Sequence, residues 1–133
     1  MPPEKDRRFL ERISINGAKI IYRLENEKRF LRRFSDPVPL SDLTWSSLRF
    51  EADSSLAAGE LIDLQILIPG EEKISVKGHL IWNSRSDKPD RNYVVVQLLP
   101  FGPGRNYNPI PTREFLKKII NRFRKSTDKI TKA

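Results

Sequence analysis

The chain has 133 residues, 38% of them hydrophobic, with 25 Lys and Arg against 17 Asp and Glu for a formal net charge of +8. That length suits one domain with a sizeable buried core, and no run approaches the roughly 18 consecutive apolar residues of a membrane span. The absence of cysteine excludes disulfides and thiol catalysis, and His79 as the lone histidine leaves no ligand set for tetrahedral zinc.

The charge is unevenly placed. Residues 1–33 carry ten basic and five acidic side chains, residues 112–133 carry eight and two, and residues 34–111 carry seven and ten. Proteins that grip long nucleic acid usually spread basic residues over the folded surface. A cationic arm and a cationic terminal helix point instead to a local anionic partner, with no long nucleic acid. The opening residues include Glu4, Lys5 and Asp6 and lack the apolar core of a secretory leader, so the expected location is cytoplasmic.

Residues 1–12 are polar and charged, with Pro2 and Pro3, and read as a flexible basic arm. From Ile13 a strand pattern runs through Ile15, Ala18, Ile20 and Tyr22, interrupted by Asn16-Gly17. That pair signals a bulge or a tight hairpin; a bulge fits better, because too few residues precede it for a separate strand. Glu25 to Arg33 reads as a loop, and Pro37-Val38-Pro39-Leu40 suits only a sheet edge or a strand start. Leu48 to Phe50 is a short strand after a turn at Asp42. Ile62 to Ile68 and Ile74 to Trp82 alternate with period two, with Gly78 inward where a bend or close backbone approach is expected. This alternation puts Trp82 in the core, and His79 reads as a surface histidine. Tyr93 to Leu99 is nearly all apolar, as in a central strand covered on both faces.

Strands at this spacing, joined by hairpin-length turns, indicate a small antiparallel barrel or sandwich. The expected layout is an arm over 1–12, a barrel over 13–100, a linker over 101–111, a helix over 112–125 and a frayed tail over 126–133. Thr112 would cap the helix, with Phe115, Leu116, Ile119, Ile120 and Phe123 on one face and Lys117, Lys118, Arg122 and Arg124 opposite. That helix should cover an open end or face of the barrel.

Two segments carry the chemistry. Arg7-Arg8-Phe9-Leu10-Glu11-Arg12 places Arg8 and Arg12 four apart just before the first strand, and Asp42-Leu43-Thr44-Trp45-Ser46-Ser47 places an acid and a hydroxyl two apart at a turn. Arginine forks suit phosphate oxygens and the acceptor edge of guanine, while a carboxylate suits guanine's donor edge. Set against these readings, the arginines are a solvated basic arm and Asp42 an ordinary turn former. A second arginine pair, Arg29 and Arg33, has the same spacing but follows the first strand. No serine elbow, phosphate-cradling glycine loop or spaced carboxylate pair stands out, so a binding protein is expected rather than an enzyme.

Together the two segments resemble the PilZ domain, whose bacterial members bind the second messenger cyclic di-GMP through an RxxxR arm and a (D/N)xSxxG turn. The resemblance runs from about Asp6 to Leu98 and extends to Asn16-Gly17-Ala18-Lys19 and Lys77-Gly78-His79-Leu80-Ile81-Trp82. It implies an all-β fold: a six-stranded antiparallel barrel followed by an amphipathic C-terminal helix. By position Arg8 and Arg12 match the paired arginines, and Arg7 extends the match to RRxxxR, which in the family goes with an intercalated pair of ligands. Asp42 matches the acid that accepts from guanine, Thr44 replaces the usual serine, and Trp45 either stacks on a base or covers the barrel mouth.

Two positions depart from the family pattern. Ser47 stands where the family has glycine, and a side chain forced into positive φ there would cost roughly 1 kcal/mol. Val95 stands where many relatives have glycine. The resemblance therefore implies a cyclic di-GMP sensor without a cofactor, passing its signal to an unidentified downstream protein. The rivals are a PilZ-fold adaptor that has lost the nucleotide and a basic module that binds anionic surfaces.

Overall fold

The computed structural model describes residues 12–24, 34–52, 59–85 and 92–132. Within them β1 (Lys19–Leu24), β2 (Val38–Leu43), β3 (Ser47–Ala52), β4 (Leu61–Leu67), β5 (Ile74–Arg85) and β6 (Asn92–Leu98) are followed by α1 (Ile110–Lys132). All six strands pair antiparallel and close into a barrel in the order β1-β2-β3-β6-β5-β4. The expected all-β barrel with a C-terminal helix is the fold observed.

Period-two alternation builds the core directly. Ile62, Leu64 and Ile66 of β4, Ile74, Val76 and Leu80 of β5, and Val94, Val96 and Leu98 of β6 all point inward and are buried. Burying each such side chain stabilises the fold by about 1.5–3 kcal/mol before the entropy of ordering the chain is set against it. β6 lies between β3 and β5, but only its inner face is covered. Tyr93 and Val95 are half-buried on the outside and Gln97 is exposed, which corrects the expectation of a doubly covered strand.

Asn16-Gly17 is a kink within one continuous edge. Ala18 N–H donates to the Ile15 carbonyl at 3.1 Å, and Gly17 takes φ +80°. Ile13 before the kink bridges Leu43, while Lys19 and Ile20 after it pair with Pro39 and Val38. Both sides thus pair with β2, and the bulge holds over the hairpin. The two prolines lie at the start of β2, along its short seam with β1, where a missing N–H costs least.

Trp82 is not in the core. The β5–β6 register shifts between Leu80 and Trp82, so the alternation that buries Leu80 is broken, and Ile81 and Trp82 are 50% and 51% exposed. A bulge of this kind leaves no trace in hydrophobic periodicity. His79 is exposed, as expected.

The segment after β6 is more than a linker. Asn108 is buried; its side-chain oxygen accepts from Lys77 N–H at 2.8 Å, and its amide nitrogen donates to the Lys77 and Leu99 carbonyls, each at 3.0 Å. The amide clips the loop to β5 and to the end of β6. The helix begins at Ile110, two residues before the expected cap, because proline suits a first helical turn where its missing N–H has no partner to lose. It also continues through the segment read as a frayed tail: lysine is a good helix former, so a polar composition does not by itself end a helix.

Leu116, Ile119 and Ile120 are buried in the barrel core, with Phe115 and Phe123 packed at its margin. An ion pair between Arg122 and Glu71 ties the helix to the β4–β5 turn. Lys117 lies 5.4 Å from the centroid of the Trp45 ring in the β2–β3 turn. Those two turns lie at the same end of an antiparallel barrel, so α1 covers that end. No helix among the described residues is long and apolar enough to cross a membrane.

Gly78 marks the tightest backbone approach. A Cβ built there would lie 2.5 Å from Val96 Cγ1 and 2.6 Å from the Gln97 carbonyl oxygen. Gly78→Ala is expected to lower stability by about 1–3 kcal/mol through overpacking, read as the midpoint shift in urea. Ser75→Ala, at an exposed position on the same strand, should stay within about 0.5 kcal/mol.

Candidate functional site at the β2–β3 hairpin

Hairpin geometry organises the second sequence motif. Thr44 N–H donates to the Ser47 carbonyl at 2.8 Å, leaving Trp45 and Ser46 as a two-residue loop. Register then runs outward from the turn, Leu43 opposite Leu48 and Asp42 opposite Arg49. A shift follows, and Leu40 pairs with Phe50, so Ser41 is the extra residue of a β-bulge. Leu40 and Leu43 are three apart yet both buried, which strict alternation forbids. The bulge absorbs the mismatch and leaves Asp42 outside the core, beside Arg49, an instance of a bulge re-aiming a side chain.

Thr44 is buried, and its hydroxyl oxygen accepts from Ser46 N–H at 3.1 Å and Ser47 N–H at 3.0 Å. It also lies 3.1 Å from the Ser47 hydroxyl. Thr44 therefore holds the turn together. Ser47 is the first residue of β3, paired with Gln97. Strand backbone is open to any L-residue, so the strain expected of a side chain at this position does not arise.

Trp45 is half-buried, packed against the core with Lys117 over its ring. Of the two roles considered for it, the contacts are those of a cover shared with α1.

The chain at Ile13 and Ser14 meets this hairpin. Ile13 N–H donates to the Leu43 carbonyl at 3.0 Å, and Leu43 N–H donates back to the Ile13 carbonyl at 2.9 Å. Ser14 Oγ donates to the Ser41 carbonyl at 2.9 Å. In this antiparallel register Arg12 falls opposite Thr44 and Ser14 opposite Asp42. Arg12 is exposed. Arg12, the one described residue of the first motif, thus lies beside the second motif on the barrel's outer surface. Arg7 and Arg8 lie outside the described residues, as do Arg29 and Arg33.

Arg49, Tyr93 and Lys117 join the site without having been singled out in the sequence. Arg49 Nη2 lies 2.7 Å from Asp42 Oδ2, with the Asp42 side chain 10% exposed and that of Arg49 37%. The guanidinium carbon is 5.4 Å from the Tyr93 ring centroid. Counting residues outward from the Trp45-Ser46 loop was the signal that could have found Arg49. A pair of this mixed exposure lies between a surface ion pair, which contributes about 0–1 kcal/mol, and a buried one, whose breaking costs about 3–5.

A separate groove of about 480 Å³ lies over Arg23, Asp63, Lys77 and Tyr107 on β1, β4, β5 and the loop after β6. Neither motif lines it.

No protein-family model matches the chain, and no curated protein matches it. Among solved structures it is similar to the Bacillus subtilis inhibitor of motility MotI/DgrA, with a TM-score of 0.56 at 13% sequence identity. The match covers 92% of this chain and 56% of that one, so the chain spans little more than half the length of its structural neighbour. The fold is PilZ-like.

The hydroxyl of Thr44 answers two N–H groups that would otherwise be orphaned in the turn. Thr44→Val, which keeps shape and removes the acceptor, should cost about 1–2 kcal/mol in chemical denaturation. Ser14→Ala, losing one exposed hydrogen bond, should fall within about 0.5 kcal/mol.

Proposed function

We propose that the chain binds cyclic di-GMP on the outer face of the β2–β3 hairpin, with Arg12 and Asp42 as its principal contacts and Arg8 as the second fork of the arm. The observation that carries this reading is the Ile13–Leu43 bridge, which sets an exposed arginine alongside the turn bearing Asp42 and Thr44. Arginine offers a planar fork to phosphate or to guanine O6 and N7, and Asp42 accepts from guanine N1–H and N2–H. Binding draws the arginines onto the hairpin, and the signal passes to α1 through Trp45, whose ring meets Lys117.

The magnitudes suit moderate affinity. Hydrogen bonds to charged groups contribute about 1.5–3 kcal/mol each, so four or five supply roughly 6–15. Ordering several residues costs about 1–2 kcal/mol apiece. The surplus fits a Kd near 1 μM, about 8 kcal/mol, better than one near 1 nM, about 12.

A second reading, a PilZ-fold adaptor that holds a protein partner without the nucleotide, draws on Ile81 and Trp82, two large apolar side chains exposed side by side on β5. The basic-surface reading is weakened by α1, whose apolar stripe is spent on the barrel at Leu116, Ile119 and Ile120.

Calorimetric titration separates the three. Cyclic di-GMP should bind in the micromolar range, with cyclic di-AMP at least tenfold weaker and only a modest loss as salt rises. Arg12→Ala should weaken binding at least tenfold while barely moving the unfolding temperature, and Arg29→Ala and Arg33→Ala should have much smaller effects. Unchanged affinity in Arg12→Ala would remove the arm from the site. Tight binding of duplex DNA or anionic vesicles with a steep salt slope, and none of cyclic di-GMP, would replace the sensor with the basic-surface module.

A further inference from the structure

We infer that Arg49, which belongs to neither motif, is a base-reading residue of the hairpin site: with Asp42 it forms a donor–acceptor–acceptor edge that receives the acceptor–donor–donor edge of guanine. The inference rests on the nucleotide reading above and names how the base is told apart there.

The pairing of Arg49 with Asp42 is incomplete as a salt bridge. A guanidinium whose task is to neutralise a carboxylate does so best in the bidentate arrangement, two parallel N–H groups on two oxygens. Here Nη2 engages Asp42 Oδ2 at 2.7 Å, while Nε is buried with no hydrogen-bond partner. The fork is one acceptor short. Turning it in its own plane toward Asp42 lets Nε reach the carboxylate and frees the Nη edge for a new acceptor. Tyr93, with its ring centroid 5.4 Å from the guanidinium carbon, offers the fork a cation–π contact.

Position makes the fork reachable. Arg49 and Asp42 are cross-strand neighbours on the outer face, and the Arg49 side chain is the more exposed of the two, 37% against 10%. Ser47 is two residues away on the same face of β3, and Arg12 lies across the turn, opposite Thr44. A ring approaching from solvent thus meets a donor from Arg49 next to the acceptors of Asp42.

Guanine fits that order. Its O6 accepts from Arg49, and its adjacent N1–H and N2–H donate to the Asp42 oxygens, each of which can accept more than one hydrogen bond. Adenine presents N6–H₂ where guanine has O6, setting donor against donor. Arg49 then supplies the discrimination and Arg12 the phosphate or N7 contact, two separable roles.

The test is selectivity. Affinities of cyclic di-GMP, cyclic di-IMP and cyclic di-AMP are measured for the wild type, Arg49→Gln and Arg49→Lys, with the unfolding temperature of each free variant recorded. Cyclic di-IMP keeps O6 and N1–H and lacks only the N2 amino group. Arg49→Gln should weaken cyclic di-GMP and cyclic di-IMP by a similar factor of at least ten and leave cyclic di-AMP little changed, so the guanine preference collapses. Arg49→Lys keeps a cation beside Asp42 and should recover part of that preference, which guards against a glutamine variant that folds poorly. A uniform loss across all three ligands, with the preference intact, would make Arg49 a structural partner of Asp42 and overturn the inference. So would unchanged affinity and selectivity in both variants. Failure of the wild type to bind cyclic di-GMP would instead overturn the nucleotide reading, and this inference with it.

Discussion

Two backbone hydrogen bonds between Ile13 and Leu43 hold the entering chain against the strand that carries Asp42, and the candidate site depends on them. Leu43 sits two residues beyond the Ser41 bulge, where β2 has turned away from its short seam with β1. Without Ile13, the N–H and carbonyl of buried Leu43 would lack those partners, and such an orphaned pair is costly. Ile13 also buries its own side chain in the core. Ile13 is therefore part of the barrel's packing, and Arg12 is placed by the fold one residue before it. The Gly17 kink makes this possible: it resets the register so that one chain segment can serve β2 on both sides of it.

The same end of the barrel carries the helix. Trp45, in the two-residue loop that fixes the Asp42 register, meets Lys117, and Glu71 in the neighbouring turn holds Arg122. A ligand that tightened the hairpin would act on a turn whose only bulky side chain already touches α1. Trp45 thus joins the hairpin directly to the helix. Thr44 gives it stiffness, because its hydroxyl ties both following N–H groups and leaves the loop little freedom to absorb a displacement locally.

Much of this was legible in the sequence, and the exceptions share a cause. Ile62 to Ile68 and Ile74 to Leu80 announced their strands through period two, and the apolar face of residues 115–123 announced a helix over the barrel. Trp82 was misplaced because the shift after Leu80 inverts the alternation without changing composition. Pro111 reads as loop punctuation and so points to Thr112 as the cap, although proline fits a first helical turn equally well. Ser47 carried an expectation of strain inherited from the glycine of a related pattern, whereas here that position opens a strand. Arg49 was passed over because its importance is relational. Only the register of the hairpin puts it opposite Asp42.

Ser47 and Arg49 together recast what the hairpin offers a ligand. With glycine at position 47 the face would present bare backbone beside the Asp42–Arg49 pair. With serine there, a hydroxyl 3.1 Å from that of Thr44 stands on the same outer face as Arg49 and Asp42. Close approach is traded for an added hydrogen-bonding group, and the acid is already partnered before any ligand arrives. A charge that is paired in the free protein has lost part of its hydration, so a neutral base edge meets less desolvation there than at a bare carboxylate. In exchange, a base bound there would have to share Asp42 with Arg49. Such a site would give up strength to gain discrimination, because a base that cannot satisfy both members of the pair leaves one of them facing a donor or an acceptor of the wrong kind.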